Sequence, residues 1–93
     1  MRLKLGDICG PFAENKDQAR EMRDKLIRPA LAAGENIILD FGGVDSSTQS
    51  FVHALISRCF QELGETALKR FEFKNCNVAL KSLVATVVNY SLE

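Results

Sequence analysis

The stretch NIILDFGGVDSSTQSFVHALI, Asn36 to Ile56, contains two different hydrophobic periods separated by a polar break. Ile37, Ile38, Leu39 and Phe41 follow one another almost without interruption. That pattern marks a strand covered on both faces, so it predicts a central and parallel one. Gly42 and Gly43 interrupt it, and Asp45, Ser46, Ser47 and Thr48 form a polar lead into a second apolar segment. Ser and Thr at such a boundary cap helices by accepting a backbone amide hydrogen bond, so one of Ser46, Ser47 and Thr48 is expected to start a helix.

That helix is expected to run to about Leu63, ahead of Gly64. At 100° per residue, Phe51, Leu55, Cys59, Val52, Leu63, Ile56 and Phe60 fall across one half of the wheel. Ser57, Gln61 and Arg58 fall on the other, which makes the helix amphipathic. The decisive stretch therefore encodes strand, turn and helix in that order.

Downstream, RFEFK alternates, burying Phe71 and Phe73 and exposing Arg70, Glu72 and Lys74, which predicts a third strand. From Asn77 onward, Leu80, Leu83, Val84, Val87 and Val88 form the stripe of a last helix. Upstream, RLKL alternates in the same way and predicts a short first strand, followed by a loop punctuated by Gly6, Gly10 and Pro11. Asn15 with Gln18 resembles a capping box, and Ala19, Met22, Leu26 and Ala30 repeat at helical spacing over about Lys16 to Ala33. Pro29 removes an amide donor inside this helix, so a kink or a stop and restart is expected there; Gly34 ends the helix.

The order strand, helix, strand, helix, strand, helix implies right-handed crossovers. The expected fold class is α/β, a small mostly parallel sheet with packed helices, formed as a single domain over residues 1–93. There is no internal repeat or low-complexity segment.

Twelve basic residues balance twelve acidic ones, and they are scattered, so no net field favours a phosphate backbone or an anionic membrane. Nucleic acid is not an expected partner. No run is apolar enough to span a bilayer, and MRLKLGDICG lacks the long apolar segment of a secretory signal, so a cytoplasmic location is expected. Cys9, Cys59 and Cys76 are odd in number and far apart, which reads as free thiols rather than a zinc site or disulfide framework. No metal or cofactor is expected.

His53 is the sole histidine and falls at the edge of the apolar face, a boundary position with no triad partners around it. No catalytic residues are assigned. Asp40, Gly42 and Gly43 sit where open α/β sheets place ligands, at the carboxyl end of a strand, and form a candidate small-ligand or nucleotide site. Neither Gly-x-Gly-x-x-Gly nor Gly-Lys-Ser/Thr accompanies them, so two glycines serving a tight turn is the competing reading.

The segments IILDFGGVDSSTQSFVHALI and FEFKNCNVALKSLV resemble the STAS-like domains, a family of uncharacterised bacterial modules (domain of unknown function 4325). These are similar to the STAS domains of anti-sigma factor antagonists. The resemblance rests on the strand ending in Asp40-Phe41, Val44 three residues on, the polar turn before Ser50-Phe51, and the Asn75-x-Asn77 turn. It covers most of the chain from Asn15 onward. It implies a non-enzymatic regulatory module that docks to an ATP-binding, histidine-kinase-type protein.

Antagonist STAS domains carry Asp-Ser-Ser-Gly-Leu, with the first serine phosphorylated by the partner. Asp45-Ser46-Ser47 looks like that motif, but apolar residues must follow its Asp at four and seven positions. From Asp45 these are Gln49 and Val52; from Thr48 they are Val52 and Leu55, both in the buried stripe. The ungapped register from the strand also selects Thr48, which leaves Gln49, an unphosphorylatable residue, at the acceptor position. Ser46, Ser47 and Ser50 remain the candidate phosphoacceptors. The expected docking surface is Asp45, Ser46, Ser47, Thr48, Gln49 and Ser50, flanked by an exposed Ser57 and Arg58. Either short strand, RLKL or RFEFK, offers an edge to a second copy, so a homodimer is a further expectation.

Overall fold

The computed structural model describes all 93 residues, Met1 to Glu93. The three alternating or apolar runs become the strands β1 (Arg2–Lys4), β3 (Ile37–Asp40) and β5 (Phe71–Lys74). They form one parallel sheet in the order β1-β3-β5, with β3 in the centre. Leu3, Leu39 and Phe73 stand side by side, as do Ile37 and Phe71 one step earlier. That row faces the helices, because residues two apart on a strand share a face.

The sheet is covered on one face only, which differs from the expectation for β3. Ile38 points the other way and is half-buried, flanked in register by Arg2 and Glu72. Lys4 and Lys74 flank Asp40 on this same face. Charged neighbours with long aliphatic stems let a single isoleucine sit on an open face without a second helix layer.

Between β1 and β3 the chain first forms a short helix, α1 (Leu5–Cys9), and a two-residue strand, β2 (Phe12–Ala13), where the sequence reads as loop. Helix α2 then runs as three consecutive segments, Lys16–Met22, Arg23–Ile27 and Arg28–Ala32, of which the middle one is π-helical. The Asn15 carboxamide caps it, accepting from Asp17 and Gln18 amides at 3.0 and 3.1 Å. Gln18 does not complete the capping box; its side chain donates instead to the Ile8 carbonyl at 3.2 Å.

The wide turn explains how Pro29 is tolerated. Arg28 N–H donates to the Arg23 carbonyl, five residues back, so the helix is already off its i−4 ladder when it reaches the proline. The helix continues without stopping. Its buried face is Ala19, Met22, Ile27 and Ala30, whereas Leu26, expected inside, is 40% exposed. One extra residue per turn moves the buried position from 26 to 27.

After β3, a two-residue strand β4 (Ser46–Ser47) pairs in parallel with β2. Helix α3 follows as Gln49–Val52, a π-helical His53–Ser57 and Arg58–Leu63. A 3-10 turn at Gly64–Thr66 and a single helical turn, α4 (Ala67–Arg70), lead into β5, and helix α5 (Val78–Ser91) ends the fold. Helix α3 lies between α2 and α5 in the helix layer, with both of them against it.

That central position requires an apolar surface more than halfway round. Phe51, Val52, Ala54, Leu55, Ile56, Cys59 and Phe60 are all buried, within one core cluster of 24 side chains. A fifteen-residue helix is marginal alone in water, so this burial decides its stability. Phe60 also packs on Phe71 of β5, ring centroids 5.1 Å apart, which seats α3 on the sheet.

Leu55→Ala is expected to lower unfolding stability by about 2–5 kcal/mol in urea titration, against about 0.5 kcal/mol or less for Arg58→Ala on the exposed side of the same helix.

Candidate functional site

Strand β3 ends in Asp40, whose side chain turns to the open face of the sheet yet is 6% exposed. Its two oxygens receive four hydrogen bonds. Oδ1 accepts from Asn75 Nδ2 at 2.8 Å and from the Gly42 amide at 2.9 Å. Oδ2 accepts from Arg2 Nη2 at 2.7 Å and Nε at 3.1 Å. The Asn75 carboxamide, the Gly42 amide and the Arg2 guanidinium together hold this carboxyl well below the usual carboxylate range.

The glycines that follow are equally committed to the fold. Val44 N–H donates to the Phe41 carbonyl at 2.9 Å, closing a tight turn in which Gly43 has φ of +83°. Only glycine adopts that conformation without a Cβ penalty. Gly6, in α1, packs so closely on this turn that a Cβ there would lie 2.1 Å from the Gly42 carbonyl oxygen. At the strand end, then, the Asp40 carboxylate is bonded to internal donors, Gly6 of α1 packs beside the turn, and Gly42 and Gly43 remain exposed.

Beyond the turn the loop is held at both ends. Asp45 and Ser46 amides donate to the Pro11 carbonyl at 2.7 and 3.2 Å, and Ser47 Oγ donates to the Ala13 carbonyl at 2.6 Å. Asn77 Nδ2 donates to the Asp45 carbonyl at 2.9 Å, while its Oδ1 accepts the Leu80 amide at 2.8 Å and caps α5. Thr48 is the residue that caps α3: its hydroxyl accepts the Phe51 amide at 3.1 Å. The cap thus falls on the residue that the helical-phase argument places at the Asp position of the family motif.

The anticipated docking residues divide into two groups. Asp45, Ser46, Ser47 and Thr48 belong to the anchored loop. Gln49, Ser50, Ser57 and Arg58 line an open polar groove of about 760 Å³ between α2 and α3.

Ser57 does not form the exposed flank expected of it. It is 2% exposed, and its hydroxyl meets that of Ser91 at 2.8 Å, with Ser91 Oγ also donating to the Val87 carbonyl at 2.6 Å. The π-helical turn rotates Ser57 toward α5, away from where a uniform 100° wheel puts it.

The groove also gathers residues not anticipated from the sequence: Lys16, Arg20, Arg23, His53, Gln61 and Tyr90. The signal was the i, i+4, i+7 spacing of Lys16, Arg20 and Arg23, which puts three cations on one stripe of α2. Arg23 clasps Asp24 at 2.9 and 3.2 Å, and its Nη1 donates to the Ala54 carbonyl in the wide turn of α3 at 3.2 Å. This ties the two π-helical turns together. The Asp24 carboxylate raises the Arg23 pKa above its ordinary value.

Arg20 pairs with Asp17 at 2.9 Å, whereas Lys16 and Arg58 form no salt bridge. His53 Nδ1 meets the Tyr90 hydroxyl at 2.8 Å, with the two rings tilted against each other; the histidine is the boundary residue its wheel position implies. Cys9, Cys59 and Cys76 are free, each thiol pushed up by burial. No helix is long and apolar enough to cross a membrane.

A three-stranded parallel sheet whose central strand ends in an internally anchored loop, with helices packed on it, is a mixed α/β arrangement consistent with a STAS-like fold. The chain belongs to the family of STAS-like domains of unknown function (domain of unknown function 4325), whose model matches residues 18–81. Comparison with curated proteins and with solved structures gives no match. The matched region contains the loop, Asn75-x-Asn77 and most of the groove; Lys16 and Tyr90 of the groove, and Arg2, the cation on Asp40, lie outside it.

Two expectations follow from this geometry. Asp40 has a lowered carboxyl pKa, so its contribution to stability is fully present above the ordinary value of about 3.9 and is lost as pH falls from there toward the native value. Asp40→Asn should flatten the fall in Tm between about pH 5 and pH 2, followed by circular dichroism. Thr48→Ala should cost about 0.5–2 kcal/mol and Thr48→Ser much less, measured by urea unfolding.

Proposed function

We propose that this chain is a non-enzymatic regulatory module that docks a protein partner through the start of α3 and the polar groove beside it. The observation that carries this reading is the convergence of Gln49, Ser50 and Arg58 with Lys16, Arg20 and Arg23 on one open surface. Two of these cations, Lys16 and Arg58, lack an internal carboxylate, so they are available to an acidic surface on the partner. A chain of zero net charge presents this face as a local basic patch.

The class of partner is the one suggested by family resemblance, an ATP-binding protein of histidine-kinase type. The loop between Phe41 and Thr48 supports the docking face rather than forming its centre. Its Asp45 and Ser46 amides, Ser47 hydroxyl and Asp45 carbonyl are tied to Pro11, Ala13 and Asn77, so the beginning of α3 is held in place before any partner arrives.

Among the candidate phosphoacceptors, Ser50 is the one on the groove. A phosphate there would lie in the first turn of α3, where the free amides favour negative charge, on the same surface as the cations of α2. Ser47 is bonded to the Ala13 carbonyl, and Ser46 is exposed on β4 outside the groove.

Titration of a purified histidine-kinase-type ATP-binding protein by isothermal calorimetry tests the docking face. Arg58→Glu should weaken binding at least about tenfold, or about 1.4 kcal/mol. Lys69→Glu, on α4 outside the groove, should leave affinity unchanged. Equal affinity for wild type and Arg58→Glu would remove the groove from the interface. Phosphopeptide mass spectrometry after incubation with that protein and ATP should place any modification on Ser50.

A further inference from the structure

We infer that a second copy of this chain pairs with β5, edge to edge and antiparallel, to give a continuous six-stranded sheet centred on Phe73. β5 is the outer strand of the sheet, next to β3 and nothing else. Phe41 N–H donates to the Lys74 carbonyl at 2.8 Å, and in a parallel ladder a residue's amide and carbonyl point to the same neighbour. Glu72 and Lys74 therefore spend their backbone groups on β3, and Phe71 and Phe73 direct theirs outward.

A two-fold axis at Phe73 uses those outward groups directly. Phe73 of each copy becomes a hydrogen-bonded pair, exchanging amide and carbonyl with its own symmetry mate. In that register Glu72 stands opposite Lys74 of the other copy, and Lys74 opposite Glu72. Both are on the solvent side of the sheet, so each copy contributes one half of two cross-strand ion pairs. Within one chain the same two residues are already 3.9 Å apart, which brings four alternating charges together across the seam.

The helix side of the seam is mostly apolar. Beside the β5 edge runs an open groove of about 350 Å³, lined by the apolar Leu68, Phe73, Cys76, Val84, Ala85 and Val88 together with two polar residues, Lys81 and Asn89. Leu68 is 54% exposed, and Phe73 is only partly buried at the end of the Phe60–Phe71–Phe73 cluster. Docking a second Phe73 there removes apolar surface from water where the single chain leaves it exposed.

The opposite edge does not offer this. Self-pairing of β1 about Leu3 would set Arg2 against Lys4, two like charges, and Arg2 is already on Asp40. Shifting β5 to an axis at Phe71 would oppose Arg70 to Glu72. The Arg70 guanidinium is engaged with the Leu31 and Glu35 carbonyls and Asn36, at 2.7–3.0 Å, so it is unavailable. Charge and backbone direction thus select one edge and one register.

Sedimentation velocity over a concentration series tests this directly. The wild-type chain should show a monomer–dimer equilibrium. Glu72→Lys should weaken it at least tenfold by placing Lys against Lys, and Lys74→Glu should do the same with acids. The charge-swapped E72K/K74E chain should restore association to within about threefold of wild type.

Amide hydrogen exchange on the unaltered chain supplies a readout independent of any substitution. Protection at Phe73 should rise with concentration. A chain that stays monomeric at every concentration, a dimer indifferent to both single changes, or a double variant that fails to restore it would each overturn the proposal. So would Phe73 protection that does not depend on concentration.

Discussion

The carboxylate of Asp40 is the junction on which the remaining architecture depends. It lies at the end of the central strand and takes donors from β1 through Arg2, from its own turn through Gly42, and from the segment after β5 through Asn75. Three pieces of chain remote in sequence are thereby fixed at one end of the sheet. A buried carboxylate with fewer donors would be a net cost; with four it is satisfied, and no buried side-chain polar atom in the structure lacks a partner. Asn75 can serve because it adopts φ of +59°, a conformation that asparagine tolerates better than most residues. Its neighbour Asn77 then fixes the loop carbonyl of Asp45 and starts α5. Asn75-x-Asn77 is thus a pair of clamps, one on the strand end and one on the loop.

Much of the fold was legible because its dominant signals are local. The alternation in RLKL and RFEFK and the apolar stripe of α3 are set by short-range period, and tertiary packing largely follows that period; the unbroken apolar run of β3 located the strand but not its single covered face. Thr48 came from the motif register: four and seven residues after it stand Val52 and Leu55, both buried, whereas from Asp45 these positions are Gln49 and Val52. Which of Ser46, Ser47 and Thr48 caps the helix stayed open in the sequence, and the cap bond falls on Thr48. What escaped was non-local. α1 and the β2–β4 pair exist because Gly6 can approach the Gly42–Gly43 turn and because Pro11 and Ala13 accept hydrogen bonds from a loop more than thirty residues away. Nothing in GDICGPFA encodes those partners by itself.

The misplacement of Leu26 and Ser57 has one shared cause. Each lies in a π-helical turn, and a helix wheel at a constant 100° cannot follow a turn closed by i→i+5 hydrogen bonds. Both residues were put on the wrong face by the same missing residue of phase. In α2 the wide turn precedes Pro29, which needs the disruption. The turn in α3 has no proline, but it lies opposite the first, and Arg23 donates across to the Ala54 carbonyl inside it. The two distortions are coupled through one guanidinium. They turn Ser57 inward to meet Ser91 and leave Arg58 outward on the groove.

This phase shift also bears on why the groove was only half anticipated. Gln49, Ser50 and Arg58 come from the helix whose start the loop fixes, and the loop drew attention to them. Lys16, Arg20 and Arg23 come from a different helix and join them only because α2 and α3 pack side by side. Their stripe was visible in spacing, yet spacing alone does not say which neighbour a stripe faces. Asp45-Ser46-Ser47 illustrates the converse. Its residue types suggest a switch, but its backbone and the Ser47 hydroxyl are spent on Pro11, Ala13 and Asn77, so its clearest role is to hold the start of α3 still. A surface that binds through a helix start gains most when that start is already immobile, because less ordering remains to be done on association.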